Sequence, residues 1–370
     1  MKSKKNILHL INSLEPEGAQ TLLLNMLQFF DLKKYNIIVA YLHKNGTALH
    51  NIEIPSIIKI IDLSIEGKIN VFVLFKIVQI IKDEKIDIIH THLVHSGILG
   101  KIARKLTGVR YVISTRHYCY ATKANSLLYR IEDKLTKNCT VVIAISEAVK
   151  KHLLRNRILR EEKIIVIHNG INTTSFLPVS DINRKKNDYI IIGTIGRLHP
   201  AKGYPILLKA FKIVLKEFGN VRLEIVGDGP SRKSLMNLAE NLEISSYVIW
   251  HGSIPHYGVI QNLYRWDLFV LSSKWEGFGL AAVEAMAAGL AVVASKVDGI
   301  IEIVDDGQTG YLFENNDYDD MAFKMKALLK DPNKRKTMGK NGREKVLRQF
   351  SIQQTVLKTE EIYDSLNSHK

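Results

Sequence analysis

The segment from Glu276 to Glu284 carries the residue types that most directly indicate chemistry in this chain. Its two carboxylates lie eight positions apart in the sequence Glu-Gly-Phe-Gly-Leu-Ala-Ala-Val-Glu. Carboxylates accept hydrogen bonds from hydroxyl groups, so this pair can hold different parts of one elongated ligand. The glycine-containing stretch between them leads into a helix, whose first N–H groups and positive dipole end suit a phosphate. The segment therefore predicts a site for a sugar carried on a diphosphate.

The elements around this segment place it at the edge of a parallel sheet. Asp267–Leu271 and Ala291–Ala294 are apolar runs typical of buried parallel strands. Leu280–Ala288 is rich in strong helix formers, and Gly289 is placed to end that helix. In such a strand-loop-helix-strand unit, ligands bind beyond the carboxyl ends of the strands. We therefore expect the first carboxylate in the loop and the second on the helix behind it.

A second candidate site follows the strand that ends near Ile195. Arg197 and Lys202 lie five positions apart in a loop that contains Gly196 and precedes a helix. Arginine offers paired N–H donors and lysine a compact charge, a combination that suits a diphosphate. The loop lacks both the Gly-Lys-Ser/Thr ending of a Walker loop and the Gly-x-Gly-x-x-Gly dinucleotide spacing. Each cation alone would be a solvated loop charge, but at a strand end near the paired carboxylates we expect both to bind ligand.

Two glycine turns are weaker candidates. Gly227-Asp228-Gly229-Pro230 follows the strand Arg222–Val226, where glycine lets the backbone approach a ring or phosphate closely. Ordinary turn chemistry explains this turn equally well. Gly18 lies between the first strand and a helix expected to start near Thr21, where it could admit a phosphate or form a plain loop.

Histidines after two strand ends of the first half are candidates for contact with a substrate. His90, His92 and His95 end or follow the strand Ile86–His90, and His117 follows the next strand. Their spacing, with no carboxylate or cysteine companion, disfavours a zinc site. An imidazole can instead donate to a hydroxyl group or move a proton at neutral pH. A histidine of the group His90, His92 and His95 facing the substrate is the preferred interpretation, and His117 is a lesser candidate.

The acidic sequence Asp317-Tyr318-Asp319-Asp320 contains an Asp-x-Asp spacing that can hold a divalent metal. Here it opens a helix predicted over Met321–Leu329. Capping of the helix N-terminus and compensation of its dipole therefore explain the carboxylates better. We expect no metal at this position.

The length, composition and net charge of the chain limit the class of protein. At 370 residues the chain suits two domains, and its 46% hydrophobic and 24% charged residues are typical of folded globular proteins. The net charge of +15 fits nucleic acid, an anionic membrane face or anionic substrates, or simply a solvated, lysine-rich surface. Nucleic acid is disfavoured because no recognition motif is present and the basic residues are scattered among helices. Cys119 and Cys139 are too few for a disulfide framework, which fits a reducing cytosol, and the longest apolar stretch, Ile69–Ile81, is too short to span a bilayer.

Apolar strands alternate with amphipathic helices through both halves of the chain, which predicts two α/β domains with doubly wound parallel sheets. A polar, lysine-rich stretch, Ser180–Asp188, separates the halves as a linker, and Ser351–Leu366 is predicted as one terminal helix. The predicted strands of the first half are Asn6–Ile11, Asn36–Tyr41, Ile57–Ile61, Ile86–His90, Tyr111–Ser114, Val141–Ile145 and Ile164–Ile167. Those of the second half are Ile190–Ile195, Arg222–Val226, Val248–Trp250, Leu268–Leu271, Ala291–Ala294 and Tyr311–Phe313.

Together these motifs resemble the retaining glycosyltransferases of family 4, which have the GT-B fold and use nucleotide sugars. The most specific are Gly196-Arg197-Leu198 with Lys202-Gly203, followed by the Glu-x7-Glu segment. Supporting motifs are the first glycine loop, His90-Thr91-His92, Ser146-Glu147, His168-Asn169-Gly170 and Gly227-Asp228-Gly229-Pro230. The resemblance covers nearly the whole chain. It implies two Rossmann-like domains facing across a cleft (1–175 on the acceptor side, 176–350 for the nucleotide sugar) and a helix, 351–370, returning to the first domain.

The resemblance also implies a role for each matched residue. Arg197 and Lys202 would bind the donor diphosphate and stabilise the charge that develops on it. Glu276 would contact the transferred sugar, Glu284 would hold the ribose hydroxyls, and His92 would lie beside the reacting centre. The other donor-binding residues implied are Gly18, Gly196, Gly227, Gly277, Phe278, Gly279 and Leu280.

One departure from the family pattern concerns the first loop. Many relatives carry Gly-Gly where this chain has Glu17-Gly18. A carboxylate beside a diphosphate is unfavourable, so we expect Glu17 to face solvent or the acceptor.

The function implied is transfer of a sugar from a UDP- or GDP-linked donor to an acceptor hydroxyl, with retention and without a metal or other cofactor. No second carboxylate is obviously placed as a nucleophile, which favours same-face attack. The preferred acceptor is a glycan, lipid-linked, in bacterial surface polysaccharide biosynthesis, reached from the cytoplasm by peripheral association with the inner face of the membrane. The alternatives are a soluble small-molecule acceptor, a nucleotide-sugar 2-epimerase and an inactive scaffold of a polysaccharide assembly complex.

Overall fold

The computed structural model describes residues 4–15, 18–43, 53–64, 71–117, 127–177 and 189–366. The chain divides into two compact units. The first unit comprises Met1–Gly170 with Ile352–Lys370, and the second comprises Ile171–Ser351. The expected linker Ser180–Asp188 and the expected orientation of Glu17 lie outside the described residues.

Each unit is built around one parallel sheet, which in the described residues has seven strands in the first unit and six in the second. Near-continuous runs of Ile, Val and Leu form these strands, as expected when helices cover both faces of a sheet. The first unit contains β1 (Lys5–Ser13), β2 (Tyr35–His43), β3 (Lys59–Asp62), β4 (Ile88–His92), β5 (Tyr111–Arg116), β6 (Val141–Ala144) and β7 (Ile164–Val166). The second contains β8 (Ile190–Ile195), β9 (Val221–Val226), β10 (Val248–Gly252), β11 (Leu268–Leu271), β12 (Val292–Ser295) and β13 (Gly310–Phe313).

Helices connect the strands and cover the sheets. They are α1 (Gly18–Leu27), α2 (Val71–Asp83), α3 (Val94–Thr107), α4 (Leu127–Thr136), α5 (Glu147–Arg155), α6 (Tyr204–Glu217), α7 (Arg232–Asn241), α8 (His256–Arg265), α9 (Leu280–Ala287), α10 (Tyr318–Lys330), α11 (Pro332–Gln349) and α12 (Ile352–Ser365). None of the helices in the described part of the chain is long and apolar enough to cross a bilayer.

The two sheets share one strand order. It is β3-β2-β1-β4-β5-β6-β7 in the first unit and β10-β9-β8-β11-β12-β13 in the second. The order reverses direction between β1 and β4, and again between β8 and β11. In open parallel sheets, ligands bind outside the carboxyl ends of the strands at such a switch point. The topology therefore predicts ligand binding at the loops after β1 and β4 and at those after β8 and β11.

The doubly wound α/β prediction is confirmed, since every predicted strand overlaps an observed strand. The predicted start of α1 near Thr21 is wrong, because the helix begins at Gly18. Its first residues, Gly18-Ala19-Gln20, include alanine, which is a strong helix former. The predicted cap at Asp317 is confirmed, since its carboxylate accepts hydrogen bonds from the N–H groups of Asp319 and Asp320, both at 2.9 Å.

The terminal helix α12 belongs to the core of the first unit, although it lies at the opposite end of the chain from β1. Ile352, Val356 and Tyr363 pack with apolar residues of α1 and of the sheet strands. The Tyr35 hydroxyl donates to Asp364 at 2.7 Å, and Glu360 accepts from the Asp31 N–H at 2.7 Å. These contacts hold α12 against the same sheet face that carries the side chains of β1 and β4.

Candidate active site

Two loops of the second unit, after β8 and after β11, are bound directly to each other. The Ser272 hydroxyl donates to the Lys202 carbonyl at 2.8 Å, and the Lys274 N–H donates to the Ala201 carbonyl at 2.8 Å. Gly203 has φ 63°, and a Cβ there would lie 2.0 Å from the Ser272 carbonyl oxygen. Only glycine meets both conditions, so it is required for this close approach.

The same loops bring a predicted cation and a predicted carboxylate into contact. The Lys202 ammonium group forms an ion pair with Glu276 Oε1, which also accepts from the Ser273 hydroxyl at 2.7 Å. The two side chains keep 27% and 13% of their surface exposed, respectively. The pair is therefore partly shielded from water but still reachable by a ligand. A diphosphate would compete with Glu276 for Lys202, and a hydroxyl group would replace the lysine on Glu276.

The backbone between the two carboxylates is arranged as predicted, with Glu276 in the loop and Glu284 on α9. Gly279, at φ 108°, precedes the first residue of α9, and Phe278 is buried. Because residues with a side chain rarely adopt φ 108°, this turn also favours glycine, and a Cβ there would in addition lie 2.4 Å from Ile300 Cδ1. Leu280 begins the helix, and the N–H groups of Ala282 and Val283 both donate to the Gly279 carbonyl, at 3.0 and 3.4 Å.

Glu284 is held by a histidine that sequence reasoning missed. His256 Nε2 donates to Glu284 Oε1 at 3.0 Å. This hydrogen bond raises the pKa of His256 above its usual value, although burial acts in the opposite direction. His256 begins α8 directly after the β10 turn, a strand-end position but one without any motif in the sequence. The tertiary structure alone brings it to Glu284.

The predicted glycines after β8 and β9 pack against each other. Gly227 has φ 138°, and a Cβ there would lie 2.1 Å from the Gly196 carbonyl oxygen. That carbonyl accepts from the Tyr204 hydroxyl at 2.7 Å. Arg197, directly after Gly196, is exposed at this carboxyl edge of the sheet. The structure thus gathers Gly196, Gly227, Lys202 and Glu276 along neighbouring strand ends.

In the first unit, the predicted His92 is buried among other histidines on one sheet face. His92 Nε2 lies 3.0 Å from His9 Nδ1, and His92 Nδ1 lies 3.4 Å from His117 Nε2. His90 Nε2 lies 2.7 Å from the Thr115 hydroxyl. His9 pairs in register with His90 across β1 and β4, so the pleat directs their side chains to the same face. His92, two residues further, faces the same way.

Burial keeps these imidazoles neutral, because the charged form is disfavoured away from water. It lowers the pKa of His9 to about 3 and that of His117 to about 4. The pKa values of His90 and His92 also fall well below the usual value, first through burial and then through the neighbouring histidines. Each ring therefore carries one N–H group near neutral pH.

Three histidines lie close enough together to bind one metal ion, but they are not the three histidines that the sequence suggested. Within the described residues they are His9, His90 and His92, whose ligand nitrogens lie within 4.8 Å of one another. His95 is outside this group, with its Nδ1 3.5 Å from the Asn12 amide nitrogen. The grouped nitrogens already have hydrogen-bond partners, which accounts for their arrangement without an ion. A histidine within the buried strand β1 was the signal that sequence reasoning overlooked.

The remaining candidate of the first unit is Gly18. It is the first residue of α1 and is exposed, so a ligand can approach the N–H groups of this helix. The helix follows β1, at the switch point between β1 and β4.

Known proteins match this chain in both halves. The family model for glycosyl transferases group 1 matches residues 178–345, and the model for glycosyltransferase family 4 matches residues 16–175. The UDP-Gal:α-D-GlcNAc-diphosphoundecaprenol α-1,3-galactosyltransferase of Escherichia coli is 31% identical over 313 residues, which are 78% of this chain and 78% of that one. The chain belongs to glycosyltransferase family 4.

Further comparisons agree with this assignment. The capsular polysaccharide biosynthesis glycosyltransferase CapM of Staphylococcus aureus is 29% identical over 310 residues, 79% of this chain and 80% of the relative. Among solved structures, Anabaena HepE in complex with UDP-glucose matches with a TM-score of 0.85 at 23% identity, over 97% of this chain and 99% of that one. This family 4 glycosyltransferase therefore has two Rossmann-like domains of the GT-B type.

Proposed function

We propose that this glycosyltransferase moves a sugar from a UDP-linked donor to a hydroxyl group of a lipid-linked glycan, with retention at the anomeric carbon. The observation that carries the proposal is the contact between Lys202 and Glu276 at the switch-point edge of the second sheet. This contact supports the proposal because it brings a cation suited to a diphosphate next to a carboxylate suited to hydroxyl groups. The E. coli relative, which by its name uses UDP-Gal and a diphosphoundecaprenol-linked acceptor, supports both substrate classes.

In the proposed donor complex, Lys202 and Arg197 bind the diphosphate and Glu276 binds hydroxyl groups of the transferred sugar. Breaking the glycosyl bond develops negative charge on the diphosphate. Preorganised cations, together with the N–H groups at Gly277–Leu280, stabilise that charge and lower the barrier. Glu284, oriented by His256, holds the ribose hydroxyls.

The first unit contributes Gly18 and His92 in this proposal. Gly18 leaves the start of α1 open to the phosphates, and His92 offers a ring nitrogen to the sugar. The acceptor hydroxyl attacks from the face that the diphosphate leaves, and the departing phosphate oxygen takes the acceptor proton. This same-face route needs no carboxylate nucleophile and no metal.

A lipid-linked acceptor is favoured by a cationic cavity between α4 and α5. This surface cavity of about 620 Å³ is lined by five cations, Arg130, Lys134, Lys137, Arg155 and Arg157. Among the described residues that line it, the one carboxylate is that of Asp133, which is already paired with Arg116 at 2.5 Å. Each lysine or arginine near an anionic membrane surface contributes roughly 1 kcal/mol of attraction. The cavity therefore suits phosphate groups presented by lipids.

Exposed apolar side chains accompany these cations on α4. Leu127, Leu128 and Ile131 expose 71%, 43% and 37% of their surface, respectively. A helix that presents leucines next to arginine and lysine binds the interface between headgroups and acyl chains. We therefore assign α4 to the membrane-facing side of the first unit, with peripheral association from the cytoplasm.

The donor part is tested by incubating the full chain with UDP- and GDP-linked sugars and a lipid-diphosphate-linked glycan, and by following product formation. Transfer from a UDP-sugar with retained configuration is expected. Transfer only to water-soluble acceptors would overturn the lipid-linked assignment, and interconversion of the free nucleotide sugar would indicate an epimerase. No turnover of any donor, even on prolonged incubation, would indicate a scaffold.

Membrane association is tested by flotation with vesicles that contain or lack anionic lipid. The wild-type chain should float only with anionic vesicles. The double variant Lys134→Glu/Arg157→Glu should lose flotation, whereas Lys216→Glu/Lys336→Glu, with the same change in net charge on the second unit, should retain it. Equal loss in both would contradict a specific role for the α4–α5 surface.

A further inference from the structure

A buried carboxylate of the second unit lies at the end of α8, apart from the groups proposed to bind the donor. Glu224, on β9, is fully buried, and its oxygens accept hydrogen bonds from side chains in the described part of the chain, each at 2.9 Å. Arg265 Nη2 donates to Oε1, and both Trp266 Nε1 and His251 Nε2 donate to Oε2. Burying a carboxylate is unfavourable unless donors satisfy it, which these side chains do. An apolar residue at this position could not hold them.

These donors tie both ends of one chain segment to the same carboxylate. His251 lies in β10, at the point where its register with β9 shifts. Arg265 is the last residue of α8, and Trp266 follows it directly. The chain between the strand and these residues contains a short turn and then α8, which begins at His256. Glu224 therefore holds the segment that presents His256.

The indole ring of Trp266 fixes the end of α8 on the sheet, at the switch point between β8 and β11. Glu224, Gly193 and Phe269 occupy one row across β9, β8 and β11. A Cβ on Gly193 would lie 1.9 Å from the indole ring, so the ring occupies the place of a side chain in that row. It also stacks with Phe269, with the ring centroids 6.3 Å apart. Close packing thus adds to the hydrogen bond from Trp266 to Glu224.

The position of the start of α8 depends on where its end is fixed. A helix with its internal hydrogen bonds intact moves as a unit, and α8, with ten residues, is about 15 Å long. His256, its first residue, donates to Glu284 at 3.0 Å. Hydrogen bonds are lost beyond about 3.5 Å, so a displacement of roughly half an ångström breaks this contact. The buried apolar residues of α8, Val259, Ile260 and Leu263, resist such a displacement weakly, because apolar packing is not directional.

We propose that Glu224 is a positioning residue for the donor site. Through Arg265 and Trp266 it sets the placement of α8, and thereby the hydrogen bond between His256 and Glu284. This inference rests on the proposed function in one respect, the contact of Glu284 with the ribose. Because Glu224 is fully buried, it acts through α8 and not by contact with the donor. Its effect is on binding of the nucleotide and not on the chemical step.

The placement of His256 can be measured without a donor, by NMR titration of the full chain labelled with ¹⁵N-histidine. The hydrogen bond to Glu284 raises the pKa of His256, and burial lowers it. Glu224→Gln nearly keeps the volume of the side chain but removes its charge and leaves one oxygen for the donors. The pKa of His256 should therefore fall. Glu240→Gln makes the same change of charge on the exposed face of α7 and should leave that pKa unchanged.

An unchanged pKa of His256 in folded Glu224→Gln would overturn the proposal, as would an equal fall in Glu240→Gln. If Glu224→Gln fails to fold, Arg265→Gln breaks the same network at a side chain that is 51% exposed. The same outcomes then decide the question. This titration does not depend on glycosyl transfer, so an inactive wild-type chain would count against the proposed function alone.

Binding of UDP alone, which contains the ribose, separates positioning from simple loss of stability. Glu224→Gln should raise Kd for UDP about tenfold, as expected from the loss of one charge-assisted hydrogen bond. KM for the UDP-linked sugar should rise by the same factor with little change in kcat. Loss of stability alone would reduce the fraction of binding-competent protein and the apparent kcat, at unchanged Kd and KM. That pattern would overturn the proposal.

A double variant tests whether Glu224 acts through His256. His256→Ala should itself weaken UDP binding, because Glu284 then loses the group that orients it. In that background Glu224→Gln should add nothing, since the contact that it positions is already absent. A second tenfold increase in Kd would show that the two residues act independently and would contradict the proposed route through α8.

Discussion

Lys202 and Glu276, 74 positions apart in the chain, form an ion pair that joins the loop after β8 to the loop after β11. Ser273 donates to the same carboxylate oxygen and limits its rotation. Lys202 and Glu276 neutralise each other, so this pair adds no net charge to the partly shielded edge of the second sheet. In the proposed donor complex, a diphosphate that engages Lys202 would release Glu276 for hydroxyl groups, so binding of the two parts of the donor would be coupled.

Replacing the lysine tests the donor site. Lys202→Ala should lower donor turnover about a hundredfold, the usual effect of removing a group that stabilises developing charge. Turnover of the nucleotide sugar, measured by release of nucleoside diphosphate, checks this expectation. Lys216→Ala, on the exposed end of α6 in the same unit, is the control and should leave turnover unchanged. Full activity of Lys202→Ala would remove this residue from the site.

The pKa of His256 should depend on Glu284. The hydrogen bond that His256 donates to Glu284 raises the pKa of His256 above 6.5, while burial lowers it. Glu284→Gln removes the carboxylate charge and leaves the burial, so the pKa should fall below 6.5. A group whose folded-state pKa is raised contributes stability below its unfolded-state pKa, and this contribution is lost as pH rises through the folded value. NMR titration of His256 in both proteins measures the shift, and equal pKa values would show that the pair does not form in solution.

Gly203 should be intolerant of any side chain. Gly203→Ala combines a left-handed backbone with a Cβ 2.0 Å from the Ser272 carbonyl oxygen, so it should lower the free energy of unfolding by about 2–4 kcal/mol. Two controls separate the causes. Gly307 has φ 75° with nothing within 4 Å of a Cβ, and Gly219 has neither constraint. Chemical denaturation should therefore rank the alanine variants in the order Gly203, Gly307, Gly219, from most to least destabilised, and any other order would contradict the tight loop contact.

The buried histidines should make the first unit sensitive to acid. His9 has a folded-state pKa of about 3, below the usual 6.5, so its neutral form contributes stability that is lost as pH falls from 6.5 toward 3. Each such histidine removes roughly 1.4 kcal/mol per pH unit over this range. The free energy of unfolding, measured by denaturation between pH 7 and pH 5, should therefore decrease. His9→Gln should reduce the slope of the free energy of unfolding against pH by up to the equivalent of one bound proton. Tyr35→Phe should lower stability and keep the wild-type slope. An unchanged slope in His9→Gln would refute the assignment.

Local patterns in the chain were sufficient to predict the strands, the cap at Asp317 and the placement of Glu276 and Glu284 on a loop and a helix. These features depend on periodicity, on glycine at turns and on residues close in sequence. The alternation of strands and helices also predicted two doubly wound sheets, because parallel pairing with right-handed crossovers leaves few other arrangements. The sequence therefore determined which strand ends carry the candidate residues.

Only the tertiary structure decided which of these side chains meet. Lys202 contacts Glu276 and His256 contacts Glu284 because different strands end at the same sheet edge, and no local pattern encodes that pairing. His9, and not His95, joins His92 because the register of β1 and β4 sets which side chains share a face. Tyr363 reaches this cluster from 354 positions away from His9, because the apolar face of α12 packs on the first sheet. Contacts between residues so distant in sequence depend on packing of whole elements, which only the folded chain defines.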